Sequence, residues 1–401
     1  MVDDASMILE RMFGCQARGR PTGNVAPMTT PATSIEVQAR EIRVTNPDKV
    51  YFPDAEGGPI TKLEVVEYWA AVADAALHGC RDRPEILHRF PAGVTDDGEG
   101  SFYQKRIPNG APEWVGTATV MFPSGRTAAM PVMADEAALV WAATLGCLEC
   151  NPWPVRADDV AHPDELRVDL DPTPGVPWDA VRRVALTSRD VLAEHGLTGF
   201  PKTSGKRGLH INARVERGNG FTATRRAALA FAREVERRMP GIATTAWWKE
   251  ERQGVFLDYN QNARDRTVAS AYSIRPMSDA RVSTPLEWDE VADVDPSRFT
   301  VRTVPDRLRE LGDPGAGIDQ HVGTLDALLA LAEQDAAGGL GDAPWPPHFP
   351  KGDDEPVRVN PSRAKKIAEW EEMKRQGLGG DRGQGSQGRG QRRRGKEPGS
   401  A

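Results

Sequence analysis

The sequence predicts a mixed α/β (α+β) fold: a core of mixed and antiparallel sheets flanked by helices, with disordered termini. Stretches of alternating apolar and polar residues, typical of strands, lie between stretches with apolar residues every three or four positions, typical of helices. Some of these strands are separated only by tight turns, which disfavours a purely parallel sheet. The composition, 39% hydrophobic and 27% charged, is that of a soluble globular protein.

In the N-terminal half, residues 1–34 are rich in Pro, Thr, Gly and Ala without any period, which predicts a disordered segment. Alternating apolar residues over 35–44 predict strands, and Thr61 is a plausible N-cap for a helix over 61–80. The remaining predicted elements here are short strands in 85–93 and 101–108, a hairpin over 118–133 closed by Pro123, Ser124 and Gly125, and an amphipathic helix over 135–150.

The C-terminal half begins with a strand over 166–172, in which two aspartates precede Pro172. The patterns that follow predict, in chain order, a helix over 177–197 ended by Gly196, a loop that enters a strand over 199–215, a helix over 223–241, strands over 254–260 and 269–276, and a further helix over 360–377.

The 401 residues suffice for two or three packed lobes. We expect a disordered extension over 1–34, a two-lobed catalytic domain over 35–310, a helical and Pro-rich extension over 311–350, and a flexible basic tail over 351–401. The tail carries 13 Lys and Arg against 8 Asp and Glu, a net charge of +5. The rest of the chain is therefore acidic, but phosphate binding depends on local charge rather than on net charge.

Composition also excludes some classes of protein. No run of about 18 apolar residues is present, so no membrane span is expected, and the N-terminus lacks the pattern of a signal peptide. Four cysteines favour a reducing compartment, and we expect a cytoplasmic protein. Cys147 and Cys150 form a C-x-x-C pair without a second pair, which we interpret as packing at the end of a predicted helix.

Asp169 and Asp171 lie two residues apart in a predicted strand, so their carboxylates project from one face. Like charges so close repel unless a cation lies between them, and oxygen ligands of this kind suit Mg²⁺ or Mn²⁺. Asp258, on another predicted strand, supplies a third carboxylate for two metal ions. The alternative interpretation of each aspartate is an acidic surface turn or a cap.

The stretch KTSGKRGLH, residues 202–210, offers backbone N–H groups, hydroxyls and cations to phosphates. It matches neither the P-loop pattern nor the dinucleotide-binding G-x-G-x-x-G pattern. Arg275 ends the predicted strand over 269–276 and has the geometry to bind a triphosphate. Taken singly, these features are more often a basic hairpin turn and a surface arginine, so their specificity lies in their order along the chain.

The motifs DLDP, TSGKRGLH, FLDYNQN and YSIR resemble those of the archaeo-eukaryotic primase superfamily. More narrowly, they resemble the polymerase domain of bacterial ATP-dependent DNA ligase D and its stand-alone actinobacterial primase-polymerase relatives, over about residues 35–310. The resemblance implies a nucleotidyltransferase with two Mn²⁺ or Mg²⁺ ions that adds ribo- or deoxyribonucleotides, taken from an NTP or dNTP, to a primer 3′-hydroxyl. By the same resemblance, Asp169 and Asp171 would bind both metals, and Asp258 the metal that activates the 3′-hydroxyl.

The resemblance also assigns binding residues. Those for the nucleotide would be Ser204, Gly205, Lys206, Arg207, Gly208, His210, Gln261 and Arg275. Those for the 5′-phosphate of a downstream DNA strand would be Asn46, Lys49 and Lys62, and those for template DNA Phe102, Tyr103 and Lys105. The alternative interpretations are that Lys49 and Lys62 are ordinary solvated lysines and that one of the two adjacent aromatic rings faces the core. Asn151 stands where relatives often carry a histidine, which puts the role of that histidine in doubt.

The resemblance implies short gap filling in DNA repair or non-homologous end joining, by a monomer in the cytoplasm associated with the nucleoid. Its partners would be gapped or broken DNA, nucleotides, a separate DNA ligase and Ku, and no membrane. The alternatives are a de novo primase, a non-catalytic protein for DNA-end binding or synapsis, and a metal-dependent nuclease. The Arg/Gly-rich tail would add non-specific DNA affinity or solubility.

Overall fold

A computed structural model describes residues 31–95, 98–122, 126–346 and 361–362. In this part of the chain the helices are α1 Lys62–Cys80, α2 Glu136–Thr144, α3 Trp178–Glu194, α4 Phe221–Arg238, α5 Val304–Leu311 and α6 Asp326–Ala337. The strands are β1 Ala32–Val37, β2 Arg40–Thr45, β3 Val50–Phe52, β4 Ile60–Thr61, β5 Glu85–Arg89, β6 Phe102–Gln104, β7 Gly116–Met121, β8 Thr127–Val132, β9 Cys147–Pro152, β10 Glu165–Pro172, β11 Phe200–Thr203, β12 Leu209–Val215, β13 Ala243–Thr244, β14 Val255–Leu257 and β15 Val322–Gly323.

The largest sheet carries the site. Its strand order is β11-β12-β10-β14-β13, and β15 pairs with β12 in parallel. Strand β10 is antiparallel to both of its neighbours. Its alternating sequence explains its position, because Leu166, Val168 and Leu170 enter a hydrophobic core with helices α3 and α4. The residues between them, including Asp169 and Asp171, therefore point to the opposite face.

A second hydrophobic core lies in the N-terminal half, where α1 packs against α2. Thr61 begins α1 with a capping box, in which its side chain accepts from the Glu64 N–H and the Glu64 carboxylate accepts from the Thr61 N–H. The three-stranded sheet β6-β5-β9 lies in the same half and carries Glu149 and Tyr103. Glu149 and Tyr103 line a cleft together with residues of the largest sheet, so side chains from both halves form its walls.

The predicted fold class is confirmed, with mixed and antiparallel sheets and flanking helices. The predicted strands over 35–44, the capped helix at Thr61 and the strand over 166–172 are confirmed as well. Gly196, at φ +73°, follows the end of α3 as expected. The predicted turn at 123–125 and the helix over 360–377 fall outside the described residues, except for 361–362, which form no helix.

Several predictions were wrong. Helix α2 ends at Thr144 and its residues from Ala137 onward are all buried, so it is not amphipathic. Gly146, at φ +81°, breaks the helix, and Cys147 and Cys150 lie in strand β9. Strand β1 begins at Ala32, so the last three residues of the predicted disordered segment belong to it, and residues 1–30 of that segment lie outside the described residues.

The other corrections lie in the C-terminal half. Residues 200–203 form a strand, β11, because they pair with β12, whereas we predicted a loop. The predicted strand over 269–276 has only an isolated bridge between Ile274 and Val282. Its other polar backbone groups bond to separate segments, such as Cys150 and Ser283. Helix α5 was not predicted, whereas α6 lies within the extension over 311–350 that we expected to be helical and Pro-rich.

Candidate active site

Three carboxylates meet at one end of the central sheet. Asp169 and Asp171 come from β10, and Asp258 directly follows β14. One carboxylate oxygen of each residue lies within 4.8 Å of the other two. This spacing is short enough for shared divalent cations and too short for three free carboxylates at low energetic cost.

Backbone pairing fixes this arrangement. Leu170 is paired with Leu257, and the Asp258 N–H donates to the Asp169 carbonyl at 2.8 Å. The Asp258 carboxylate then caps a 3₁₀ turn, because it accepts from the Asn260 N–H at 3.1 Å and from Gln261 Nε2 at 3.2 Å. The sheet and this turn therefore hold Asp258 beside the pair on β10.

Burial and mutual repulsion raise the pKa values of two of these carboxylates, those of Asp169 and Asp171. Burial, and next the Asp258 carboxylate, raise the pKa of Asp169 to about 7. The neighbouring Asp169 carboxylate, and next burial, raise the pKa of Asp171 to about 8, although Asp171 as a whole residue is exposed. Neutralisation by bound cations would relieve this repulsion.

The donor set fits Mg²⁺ or Mn²⁺, because all three side chains offer hard carboxylate oxygens. Among the described residues, the buried Oδ1 of Asp169 has no hydrogen-bond partner, so it is available to a metal ion. We infer that Asp169, Asp171 and Asp258 would hold the ions.

The turn between β11 and β12 lies next to the triad. Ser204 Oγ accepts from the backbone N–H groups of Lys206 at 3.2 Å and Gly208 at 3.0 Å, which closes the turn. Gly205 has φ +70°, and a Cβ there would lie 2.4 Å from Arg275 Cγ. At Gly208 a Cβ would lie 2.2 Å from the Leu170 carbonyl, so both glycines are required by close packing.

Asp169 and Asp171, two of the three carboxylates, line a cleft of about 590 Å³. Cationic side chains dominate the wall beyond the carboxylates: Lys206, Arg207, Lys249, Arg252 and Arg275. Ser204, Gly208, His210 and Gln261 line the same cleft, so the structure brings most of the predicted nucleotide-binding residues together. A cleft with carboxylates at one end and cations along its wall suits a metal-bound polyphosphate.

The opposite wall comes from the N-terminal half. Glu149 accepts from His88 Nδ1 at 2.8 Å and lies 3.2 Å from the Arg275 guanidinium. Burial opposes ionisation of Glu149, but His88 and Arg275 lower its pKa overall. The ring of Tyr103 stacks on His88 with the centroids 4.0 Å apart. Glu149 therefore holds Arg275 and, through His88, supports an exposed aromatic ring at the cleft.

Asn151 also lines the cleft. Its Nδ2 donates to the carbonyl oxygens of Ile86 and Glu149 at 3.3 and 3.2 Å. These two bonds use the N–H donors of the Asn151 side-chain amide within the β5–β9 sheet.

The predicted 5′-phosphate residues lie away from this cleft. Asn46, at φ +51°, and Lys49 line a small surface pocket together with Pro31 and Asp48. Lys49 Nζ donates to the Pro91 carbonyl at 2.7 Å. Lys62 is buried and donates to the Thr45 carbonyl at 2.7 Å, and burial, with Lys49 nearby, lowers its pKa. The two lysines adjoin, because the Lys62 N–H donates to the Lys49 carbonyl at 2.7 Å.

The predicted template contacts are exposed. Phe102 and Tyr103 are 43% and 58% exposed, and Phe102 lies under the Arg89 guanidinium while Tyr103 stacks on His88. Lys105 lies over the Phe122 ring at 5.0 Å. Tyr103 alone of these three lines the cleft.

Several side chains at the site were absent from the predicted set. Lys249 and Arg252 lie on the cleft wall, and the sequence pattern gave no signal for them beyond two cations near paired tryptophans. Lys202 was predicted only as a phosphate-facing cation of the loop. It is buried instead, and its Nζ lies 2.8 Å from His210 Nδ1. Burial, and next Arg275, lower the pKa of Lys202 to about 7.

Among the helices of the described ranges, none combines the length and apolar character needed to cross a bilayer.

Comparisons with known proteins identify the family to which this architecture belongs. Residues 61–315 match the family model of the LigD primase-polymerase domain. The multifunctional non-homologous end joining protein LigD of Mycolicibacterium smegmatis is 30% identical over 330 residues, which are 81% of this chain and 42% of that protein. The corresponding LigD of Mycobacterium tuberculosis H37Rv is 31% identical over 298 residues, which are 72% of this chain and 38% of that protein. This chain thus spans less than half the length of these relatives.

A solved structure supports the same family. The polymerase domain of Mycobacterium tuberculosis ligase D, determined in complex with DNA, superposes with a TM-score of 0.63 at 31% identity. The match covers 69% of this chain and 97% of the other. The chain therefore belongs to the LigD primase-polymerase domain family, a family of nucleotidyltransferase-type enzymes.

Proposed function

We propose that this chain is a template-directed polymerase that fills short, 5′-phosphorylated gaps during repair of DNA breaks by end joining. The observation that carries the proposal is the carboxylate triad, within 4.8 Å, at the end of a cation-lined cleft. A protein that only binds DNA ends has no use for three clustered carboxylates beside a phosphate-binding wall, because they repel the DNA backbone.

The nucleotide would lie in the cleft with its triphosphate between the triad and the cations. Lys206, Arg207 and Arg275 reach this space from the turn and from the wall. The Glu149 carboxylate, 3.2 Å from the Arg275 guanidinium, orients this side chain in advance. Binding of a phosphate would therefore require little reorganisation of Arg275. Ser204 stabilises the turn whose backbone approaches the phosphates.

Two Mg²⁺ or Mn²⁺ ions bound by Asp169, Asp171 and Asp258 would activate the primer 3′-hydroxyl and neutralise the developing charge on the phosphates. The contribution of the protein is to hold the three carboxylates at a fixed spacing. The bond between Asp258 N–H and Asp169 O fixes the distance between the two strands that hold the carboxylates. Because Asp169 is only 6% exposed, competing water has little access to its side of the site.

The specificity for gaps would come from Asn46, Lys49 and Lys62. Asn46 and Lys49 line a surface pocket, and the buried Lys62 adjoins Lys49 through a backbone hydrogen bond, so the pocket would receive a terminal phosphate dianion. Tyr103, stacked on His88, offers its other face to a base.

We assign the catalytic domain to residues 35–310, an accessory extension to 311–350 and a DNA-attracting basic tail to 351–401. We also propose that a DNA ligase and Ku act together with this chain, because the LigD relatives are named as non-homologous end joining proteins.

The first experiment is primer extension on a DNA with a short gap, with and without a 5′-phosphate. Ribo- and deoxyribonucleotides are compared in Mn²⁺ and in Mg²⁺. We expect extension that the phosphate stimulates. Asp258→Ala should abolish extension and leave DNA binding intact, whereas the matched control Asp179→Ala changes an exposed carboxylate on α3 and should be fully active.

Three outcomes would favour the other functions. DNA binding without extension under any condition would point to an end-binding protein. Synthesis from nucleotides alone, without a primer, would point to a primase. Loss of DNA in the absence of nucleotides would point to a nuclease.

A further inference from the structure

The C-terminal extension packs behind the carboxylate triad. Residues 316–346 lie beyond the part of the chain that matches the family model. Helix α6 packs on α4, and two arginines of α4 bind the backbone that follows α6. Arg233 donates to the Gly341 carbonyl at 2.6 Å, and Arg225 donates to the Pro344 carbonyl at 2.8 Å. Trp345, the next residue, is 1% exposed, so the extension is folded against the domain.

Arg225 connects this extension to the active site. Its side chain is fully buried and forms an ion pair with Asp342 at 3.0 Å. The guanidinium lies over the Trp345 ring, 4.9 Å from the ring centroid. Its Nε and Nη2 both donate to Asn260 Oδ1, at 3.1 and 3.0 Å. One guanidinium thus joins the extension to the 3₁₀ turn that follows Asp258.

This turn, at 259–262, sets the orientation of the Asp258 carboxylate. The Asn260 N–H donates to Asp258 Oδ1 at 3.1 Å. At the far end of the turn, Asn262 Nδ2 donates to the Arg167 carbonyl of β10 at 2.8 Å. The turn therefore has two anchors, the central sheet through Asn262 and Arg225 through Asn260.

The second anchor depends on the extension, because a buried guanidinium needs partners for its charge and its donors. Among the described residues, the partners of the Arg225 donors are Asn260 on the turn and three groups of the extension, the Asp342 carboxylate and the carbonyls of Ala343 and Pro344. Burial lowers the pKa of Arg225, and the Asp342 carboxylate opposes that shift. Without these partners the guanidinium would be free to turn away from Asn260.

The extension also contacts a second turn at the site, the one at 249–251. The Lys249 N–H donates to the Pro361 carbonyl at 2.9 Å, and Ser362 Oγ donates to the Glu250 carboxylate at 2.8 Å. Lys249 lines the cleft. The residues after α6 therefore meet two separate turns that border the site.

We propose that the C-terminal extension is part of the active-site framework, in which Trp345 and Asp342 hold Arg225 against Asn260, and Arg225 is a positioning residue for the Asp258 carboxylate. The inference rests on the proposed function, in which Asp258 binds a metal ion. Loss of a group that orients a metal ligand lowers metal affinity by about 10–100-fold. Disturbing the extension should therefore weaken metal binding even though no residue of the extension is a ligand.

The test measures Mn²⁺ binding to the full chain, without nucleotide or DNA, from the electron paramagnetic resonance signal of free Mn²⁺. Arg225→Lys keeps a charge beside Asp342 but has no second donor group for Asn260. Trp345→Leu stays apolar but lacks the ring. Each should lower the Mn²⁺ affinity about tenfold, whereas Trp345→Phe, which keeps a ring, should stay close to the wild type. Wild-type affinity in both Arg225→Lys and Trp345→Leu would overturn the inference.

A double-mutant cycle separates positioning of Asp258 from a general loosening of the fold. In an Asp258→Asn background the carboxylate is already absent, so adding Trp345→Leu should change the remaining Mn²⁺ affinity by at most about twofold. A tenfold loss in that background would show that the extension acts on the protein as a whole, against the inference. If thermal unfolding shows that Trp345→Leu does not fold, Arg225→Lys takes its place in the cycle.

Arg237→Met is the matched control. Arg237 lies on α4 like Arg225, but its guanidinium bonds to Glu234 and Asp335 and contacts neither the turn at 259–262 nor residues 340–345. Its Mn²⁺ affinity should equal that of the wild type. A wild-type chain that binds Mn²⁺ with this dependence on Arg225 and has no polymerase activity would refute the proposed function alone.

Discussion

Asp169→Asn should stabilise the metal-free protein at neutral pH while it abolishes polymerase activity. The Asp169 carboxyl is buried, and its pKa rises from 3.8 to about 7 in the folded chain. Between these values the folded state holds a proton that the unfolded state has lost. Wild-type stability therefore falls as pH rises, until the pH passes the folded pKa. Asparagine does not titrate, so the variant lacks this loss.

The magnitude follows from the shift. The interval from about pH 5 to about pH 7 is two pH units. At about 1.4 kcal/mol per unit, the free energy of unfolding of the wild-type chain falls by up to ~2.7 kcal/mol, and that of the variant does not. The carboxylate of Asp169 is also the largest cause of the raised pKa of Asp171, so its removal flattens the profile further. The free energy of unfolding of the variant should exceed that of the wild type most at neutral pH.

The assay is urea unfolding in a metal chelator at both pH values, followed by the fluorescence of buried tryptophans such as Trp69 and Trp153. The titration of groups that Asp169 does not perturb cancels in the difference between wild type and variant, whereas the change at Asp171 adds to that difference. Mn²⁺ should restore stability to the wild-type chain at neutral pH and do much less for the variant. Equal dependence on pH in the two proteins would refute the argument that Asp169 is forced to bind a proton.

Three further predictions test other parts of the site. Lys49→Ala should weaken binding to 5′-phosphorylated gaps, and an equal loss on unphosphorylated gaps, measured by fluorescence anisotropy, would argue against the phosphate pocket. Gly208→Ala should cost about 1–3 kcal/mol of stability in thermal unfolding, because its Cβ would lie 2.2 Å from a strand carbonyl, whereas Gly341→Ala, with open space around it, should not. Tyr103→Ala should lower the affinity for a templating base by about 1–3 kcal/mol in the same anisotropy assay, and an unchanged affinity would count against base stacking.

Local sequence patterns were sufficient where the geometry is local. The period of two in a strand predicted that Asp169 and Asp171 share a face, and the structure places them together. The capped start of α1 was predicted from Thr61 and the apolar period that follows. The grouping of the turn at 204–208 with the triad came from the order of the motifs and not from any single one.

Features that depend on long-range pairing were missed. Lys202 lies beside His210 because β11 pairs with β12, and no spacing in the sequence states that register. His88 and Glu149 meet because β5 pairs with β9. The short apolar run at 147–152 is ambiguous between helix and strand, and the positive φ of Gly146 decides it.

The backbone bond between Asp258 and Asp169 has a consequence for how such a protein can change. The spacing of the three carboxylates is set by the ladder between β10 and β14, whereas the cations opposite them, such as Lys249 and Arg252, lie on a separate turn and the residue after it. The carboxylates and these cations are thus held by different parts of the chain. We expect that substitutions in the turn at 249–251 change the charge of the cleft wall while the ladder keeps the spacing of the carboxylates intact.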